Sequence, residues 1–513
     1  MKLIIPIAGN ENKFISHFKS SRHLIKIDGK YILQTIINNF DNKFIDEIII
    51  VCKLKQYKEF NFKLKFKSKI NKLTFIKLGK YTQNQIATIK YAEKLIKNND
   101  EVLIINPDAL FKISSKTIEK LKNKKIKNCS GTIFYYNQLE DNNFEKKEKI
   151  LVKNNKVTKV FSNKININFS QNNTYVTAGI YYFKKWLDIK KFIKSNPKQM
   201  SKKNLTIISI FEFLLKSKII IDSELIDFFI DLGSIKKIQE YFFWQKYFQV
   251  SIFKKPKVRF NNIQNIIPSA GEGNRHKKLG FKVPKPLINI SGELMVLQSL
   301  KSLPLSKKVI FLFKDKTINK FKLKKLLSSK INNPKIIPIK RKTKGMAITV
   351  SKANKIIQNN KPLIISSCDF SCVLDEVKLK QLIQKYKPDA IIFTWRQYPF
   401  ASESPNSHAY VKVKKNRIIE ISEKKVISND PDSDFAVTGM FYFKTGQLMK
   451  ICTEDMVLKK ITINGEYYTA TSMNKLLQDD KKIYNFEVDQ FISWSLPEHL
   501  LRYNYWEKMI NNK

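Results

Sequence analysis

Short apolar runs recur along the chain at 48–51, 102–105, 309–313, 363–366 and 390–394. Between them lie stretches of helical character at 34–40, 87–96 and 348–357. A run such as Ile48-Ile49-Ile50-Val51 lacks the polar alternation of a half-exposed strand, so it predicts a strand buried on both faces. Such strands alternating with helices predict an α/β layered fold, with a mostly parallel mixed sheet flanked by helices in the Rossmann-like manner. The opening segment 1–9 is apolar but has no small-residue cleavage site, and it reads as a first strand rather than a leader.

The apolar pattern also repeats. Ile4-Ile5-Pro6-Ile7-Ala8-Gly9 returns as Ile266-Ile267-Pro268-Ser269-Ala270-Gly271, and Leu24-Ile25-Lys26-Ile27-Asp28-Gly29 as Leu287-Ile288-Asn289-Ile290-Ser291-Gly292. Thr82 matches Thr343, Asp108 at the end of one apolar run matches Asp369, and Ala178-Gly179 matches Thr438-Gly439. Phe229-Ile230-Asp231 matches Phe491-Ile492-Ser493. The offset stays between 260 and 263 across all six blocks, in one order, which is the mark of a duplicated domain and not of a short-period solenoid. Two domains at 1–250 and 259–513 follow, with Lys254-Lys255-Pro256-Lys257 as linker.

Composition narrows the function classes. With 95 basic and 44 acidic side chains the net charge is +51, but Lys is spread over the whole length beside abundant Asn and Ile. No basic-aromatic motif gathers it, so the expectation is no specific nucleic-acid partner. No apolar run nears the roughly 20 residues of a bilayer span, so no membrane partner and a cytoplasmic location are expected. Five cysteines without CxxC spacing predict free thiols and no structural zinc.

The chemistry concentrates in Ile267-Pro268-Ser269-Ala270-Gly271-Glu272-Gly273-Asn274-Arg275, followed by Pro284-Lys285-Pro286-Leu287. Gly271 and Gly273 let backbone N–H groups approach phosphate oxygens, Arg275 offers a guanidinium fork, and Lys285 a fixed charge between two prolines. This is neither a Walker loop, since GK[ST] is missing, nor the dinucleotide fingerprint. The whole string resembles the signature of the sugar-1-phosphate nucleotidyltransferase family, and the later blocks follow family order over 263–510.

The resemblance implies two tandem nucleotidyltransferase domains of the Rossmann-like, GT-A type, and an enzyme that joins a nucleoside triphosphate to a sugar-1-phosphate with release of pyrophosphate. It implies catalytic roles for Arg275, Lys285 and Asp369, and nucleotide contacts from Ala270, Gly271, Glu272, Gly273 and Gly345. It assigns the sugar phosphate to Glu423, Lys424, Gly439 and Thr469. It implies Mg²⁺ as cofactor, held by Asp369. The oligomeric state is left open, a homo-oligomer included.

Two departures stand out. Where the family has a second metal-binding acid this copy has Ser493, and Asp489, four residues earlier, is the substitute the sequence offers. The first copy keeps Asp108 and Asp231, but its loop reads Ala8-Gly9-Asn10-Glu11-Asn12-Lys13, Pro-Lys-Pro-Leu becomes Ser21-Arg22-His23-Leu24, Glu-Lys becomes Asn163-Lys164, and Asn84 replaces Gly345. With several phosphate-binding groups lost together, the first copy reads as non-catalytic. Two readings follow: an enzyme making activated sugars, as for surface polysaccharide, or a regulatory protein that binds nucleotides or nucleotide sugars without turnover. A glycosyltransferase reading predicts D-x-D where the chain has Asp369-Phe370-Ser371, and is disfavoured.

Overall fold

Each half of the repeat builds a nine-stranded sheet, and the two sheets have the same order. The computed structural model describes residues 1–40, 43–63, 72–123, 129–136, 147–161, 173–202, 205–226, 228–249, 258, 260, 262–397 and 401–511. They divide into two compact units, Met1–Phe242 with Lys508–Lys513, and Phe243–Glu507. The expected linker at 254–257 and the pair Asn163-Lys164 lie outside the described residues.

In the second unit four parallel strands run in the order Lys335–Ile339, Lys308–Lys314, Gln264–Pro268, Leu363–Ser366. The chain lays down the first three outward from Gln264–Pro268, then returns to place Leu363–Ser366 on its other side. Strand order therefore reverses between Gln264–Pro268 and Leu363–Ser366, and a crevice opens beyond their carboxyl ends at such a switch point. The loops leaving these two strands carry Ala270–Gly273 and Asp369.

Beyond this parallel half the sheet is mixed. Phe435–Phe443 runs antiparallel to Leu363–Ser366, Ala390–Trp395 antiparallel to Phe435–Phe443, and Ile483–Glu487 parallel to Ala390–Trp395. Ile266, Ile310, Leu312, Leu363 and Ile365 form the buried centre of its core. Full burial of each such side chain contributes about 1.5–3 kcal/mol.

Every predicted strand is present, but the helices are shorter than their apolar periodicity suggests. The stretch at 348–357 is helical only over Met346–Ser351 and then tightens, with Ala353 N–H donating to the Val350 carbonyl at 2.8 Å. The stretch at 87–96 is a helix at Gln85–Lys90 followed by a 3₁₀ turn at Tyr91–Leu95.

A small two-stranded antiparallel sheet accompanies each large one. In the second unit Phe370–Val373 pairs antiparallel with Gln490–Ser493, Phe370 opposite Ser493, and Trp494 N–H donates to the Asp369 carbonyl at 2.7 Å. In the first, Ala109–Phe111 pairs with Phe229–Asp231, Ala109 opposite Asp231, and Leu232 N–H donates to the Asp108 carbonyl at the same 2.7 Å. The shared register fixes the equivalence of Ser493 and Asp231. The five cysteines are free thiols. No helix among the described residues is long and apolar enough to cross a membrane.

Candidate active site

Two cavities meet at the switch point of the second unit. One, of about 480 Å³, is lined by Ala270, Gly271, Glu272, Gly273, Lys285, Gly345 and Asp369. The other, of about 290 Å³, is lined by Glu423, Gly439, Thr469, His408, Ser493 and Asp369. Met346, Ser367, Asp369 and Tyr468 belong to both walls.

Backbone geometry explains the glycines. Gly273 closes the loop at φ 62°, a conformation that favours glycine. Gly345 sits at φ 100° with the Tyr467 backbone against it, so that a Cβ there would lie 2.4 Å from the Tyr467 carbonyl oxygen.

Lys285 follows Pro284 in a 3₁₀ turn and ion-pairs with Asp369, while also donating to the Ser495 carbonyl at 3.4 Å. Burial works to raise the Asp369 carboxyl, but the Lys285 ammonium outweighs it and holds the group below the usual carboxylate range. Burial likewise disfavours the Lys285 cation, and Asp369 overrides it and holds the ammonium above its ordinary value. Each therefore keeps the other charged at the point where the cavities join. Glu272 is ion-paired with Lys314, and a hydrogen bond from that lysine keeps it ionised. Beside Asp369, burial pushes the Cys368 thiol up to about 12, so it stays protonated.

The second cavity has a different character. Glu423 is pushed up to about 7 by burial, and the Thr469 hydroxyl is buried without a hydrogen-bond partner among the described residues. A buried polar atom without a partner is costly and fits a place completed by a hydroxyl-bearing ligand. His408, which sequence reasoning gave no role, lines this cavity, and burial holds it down to about 4, hence neutral. His499, also missed, contacts the Ser493 hydroxyl through Nδ1 at 3.0 Å, and Ser493 contacts the Ser495 hydroxyl at 2.7 Å.

Three expected residues stand apart. Arg275 is exposed on the helix Asn274–Lys278 and lines neither cavity. Lys424 also lines neither, and its ammonium stands over the ring of Tyr468 at 4.7 Å. Asp489 does not stand where a substitute for the second acid must. It is exposed, and its N–H donates to the Val373 carbonyl at the end of the two-stranded sheet away from Ser493. Four strand residues span about 13 Å, so it cannot join Asp369 on one ion.

A family model described as nucleotidyl transferase matches residues 15–242 and again 264–507. The chain belongs to the nucleotidyl transferase family. No curated protein matches the chain. A solved nucleoside-diphosphate-sugar pyrophosphorylase from Vibrio cholerae is 18% identical, with a TM-score of 0.39 over 47% of this chain and 99% of its own. An inositol-1-phosphate CTP transferase from T. maritima is 15% identical, with a TM-score of 0.38 over 48% of this chain and 95% of its own. The family match falls on both units, although the glycine loop and lysine stand in the second alone.

Proposed function

We propose that the second unit condenses a nucleoside triphosphate with a sugar-1-phosphate, giving a nucleotide sugar and pyrophosphate, in cytoplasmic supply of a surface polysaccharide. The observation that carries this reading is the meeting of two cavities at the Lys285–Asp369 pair. The triphosphate lies along Gly271 and Gly273 with its base towards Gly345, and the sugar lies towards Glu423, Gly439 and Thr469. A phosphate oxygen of the sugar phosphate attacks the α-phosphorus, a new P–O bond forms, and the bond to the β-phosphate breaks in line. Catalysis of this kind is positioning and charge neutralisation, and calls for no activated nucleophile on the protein.

Lys285 offsets charge on the attacking phosphate. Arg275, exposed at the loop, is free to swing onto the departing pyrophosphate. Magnesium ions are held by one or two carboxylates together with substrate phosphates, and Asp369 at the shared wall suits that donor set. When bound there, Mg²⁺ would supply further neutralisation of the phosphates.

The test is pyrophosphate release by the full chain with Mg²⁺, across CTP, UTP, dTTP, GTP and ATP, each against a panel of sugar-1-phosphates. Release with one pair, lost in Asp369→Asn, supports the reading. Nucleotide binding with no release from any pair would replace it by the regulatory one, which Ser493 in the acid's place favours.

A further inference from the structure

We propose that the corresponding site of the first unit is filled by its own charges, with Glu11 in the place of a phosphate and Lys147 and Arg22 in the place of a metal ion, so that this unit binds no magnesium nucleotide. The repeat sets Glu11 against Gly273, Arg22 against Lys285, Asp108 against Asp369 and Gly233 against Ser495. Geometry agrees, because Arg22 Nη1 donates to the Gly233 carbonyl at 3.4 Å, the distance Lys285 keeps from the Ser495 carbonyl.

A Cβ built on Gly273 would stand 3.2 Å from the Lys285 Cβ and 3.7 Å from its backbone nitrogen. A side chain at that position therefore runs straight at the cation. In the first unit there is one. Glu11, at an unstrained φ of −110°, turns its buried carboxylate onto Arg22, accepting from the backbone N–H at 3.1 Å and pairing with Nη2 at 3.1 Å. These are the donor types a phosphate oxygen takes, and they are already engaged.

The carboxylates are also countered from within. Lys147 Nζ is 2.6 Å from Asp231 Oδ2 and also donates to the Tyr136 hydroxyl, while Arg22 Nη1 is 3.9 Å from Asp108 Oδ2. A Cβ on Gly233 would meet Asp231 Oδ1 at 3.0 Å and Asp108 Oδ2 at 3.4 Å, so the two acids face one spot. Two carboxylates so placed repel unless a cation separates them, and here the chain provides ammonium and guanidinium. As they stand, these residues do not fit magnesium: Lys147 would have to leave.

The experiment counts Mg²⁺–pyrophosphate sites on the full chain by titration calorimetry, with the second unit silenced by Lys285→Ala and Asp369→Asn. The silenced chain is expected to bind none. Adding Glu11→Gly and Lys147→Ala is expected to create one site per chain, a gain on the order of a hundredfold from two freed charge-assisted donors. Glu11→Ala with Lys147→Met, which removes both charges and frees the Arg22 donors while keeping the length of the lysine stem, is the companion should the first pair unfold the unit, and it is expected to gain binding in the same direction. A site already present in the silenced chain would overturn the proposal. So would a folded companion variant that still binds nothing. If the unsilenced chain also binds none, it is the proposed function of the second unit that fails.

Discussion

Replacing Gly345 by alanine tests whether the wall of the larger cavity must be built from bare backbone at this point. At φ 100° and ψ 173° the residue occupies a region that costs a side-chain-bearing residue about 1–3 kcal/mol. The new methyl would lie 2.4 Å from the Tyr467 carbonyl oxygen and 2.6 Å from its nitrogen, where ordinary contact starts at 3.4 Å. Neither atom is the end of a flexible side chain, so the whole segment must retreat, and overpacking of this sort costs about 1–3 kcal/mol. The sum is about 2–6 kcal/mol, or roughly a 5–20 °C fall in the unfolding midpoint of a unit this size. Two hydrogen bonds bracket the glycine, Tyr467 N–H to the Lys344 carbonyl at 2.9 Å and Ala347 N–H to the Tyr467 carbonyl at 3.2 Å. Moving residue 467 drags Glu466 and Tyr468, both lining the larger cavity, so nucleotide affinity should drop about 10–100-fold for a shift near 1 Å. Calorimetric nucleotide titration together with thermal unfolding reads both effects. The control is Gly446→Ala, where a Cβ would meet the Gln358 carbonyl oxygen at 2.5 Å away from both cavities, and only stability should suffer. A Gly345→Ala protein that loses stability like the control yet binds nucleotide at full strength would refute the reasoning. The first unit shows the alternative solution. Asn84 holds the same position at φ −154°, with its side-chain oxygen accepting from Ala87 N–H at 2.7 Å.

Further outcomes follow from the charges. Lys285→Ala should lower pyrophosphate release by about 10²–10³-fold, with partial recovery in Lys285→Arg, and leave the Asp369 carboxyl titrating higher, read from the pH–rate profile. Glu423 ionises near 4.5 when unfolded but near 7 in the fold, so between those values the folded state holds the extra proton and the contribution of this group to stability falls as pH rises. Urea midpoints of the native chain should therefore fall relative to those of Glu423→Gln as pH rises across that window, since the histidines, whose linkage runs the other way, are common to both proteins. Ser493→Asp restores a second carboxylate beside Asp369, and should lower the Mg²⁺ concentration for half-maximal pyrophosphate release, checked by a Mg²⁺ titration at fixed nucleotide.

The sequence made the duplication, the strands and the second-unit loop legible, because each is written in contiguous residues. Gly271, Gly273 and Lys285 announce themselves by backbone freedom and a proline-fixed charge, and Asp369 by its place at a strand end. What was not legible depends on side chains brought in from far along the chain. His408 and His499 reach the cavity region through packing that no local pattern encodes, and so does the Lys147–Asp231 pair. Helix starts differ from the apolar period where a capping Asn84 or a positive-φ Gly345 sets the first turn, since that period says nothing of caps. Asp489 was misplaced because nearness in sequence is distance along an extended strand.

The common wall of Met346, Ser367, Asp369 and Tyr468 bears on how long a finished molecule stays. In the proposed reaction two reactants would come separately, each held by one cavity. Their condensed product would be gripped at both ends, and when one end slipped free the other would keep it close enough to rebind before it escaped. Residence of the product, not bond formation, would then pace turnover. An accumulating pool of it would idle the protein by denying both entrances at once, a brake that needs no separate regulatory pocket.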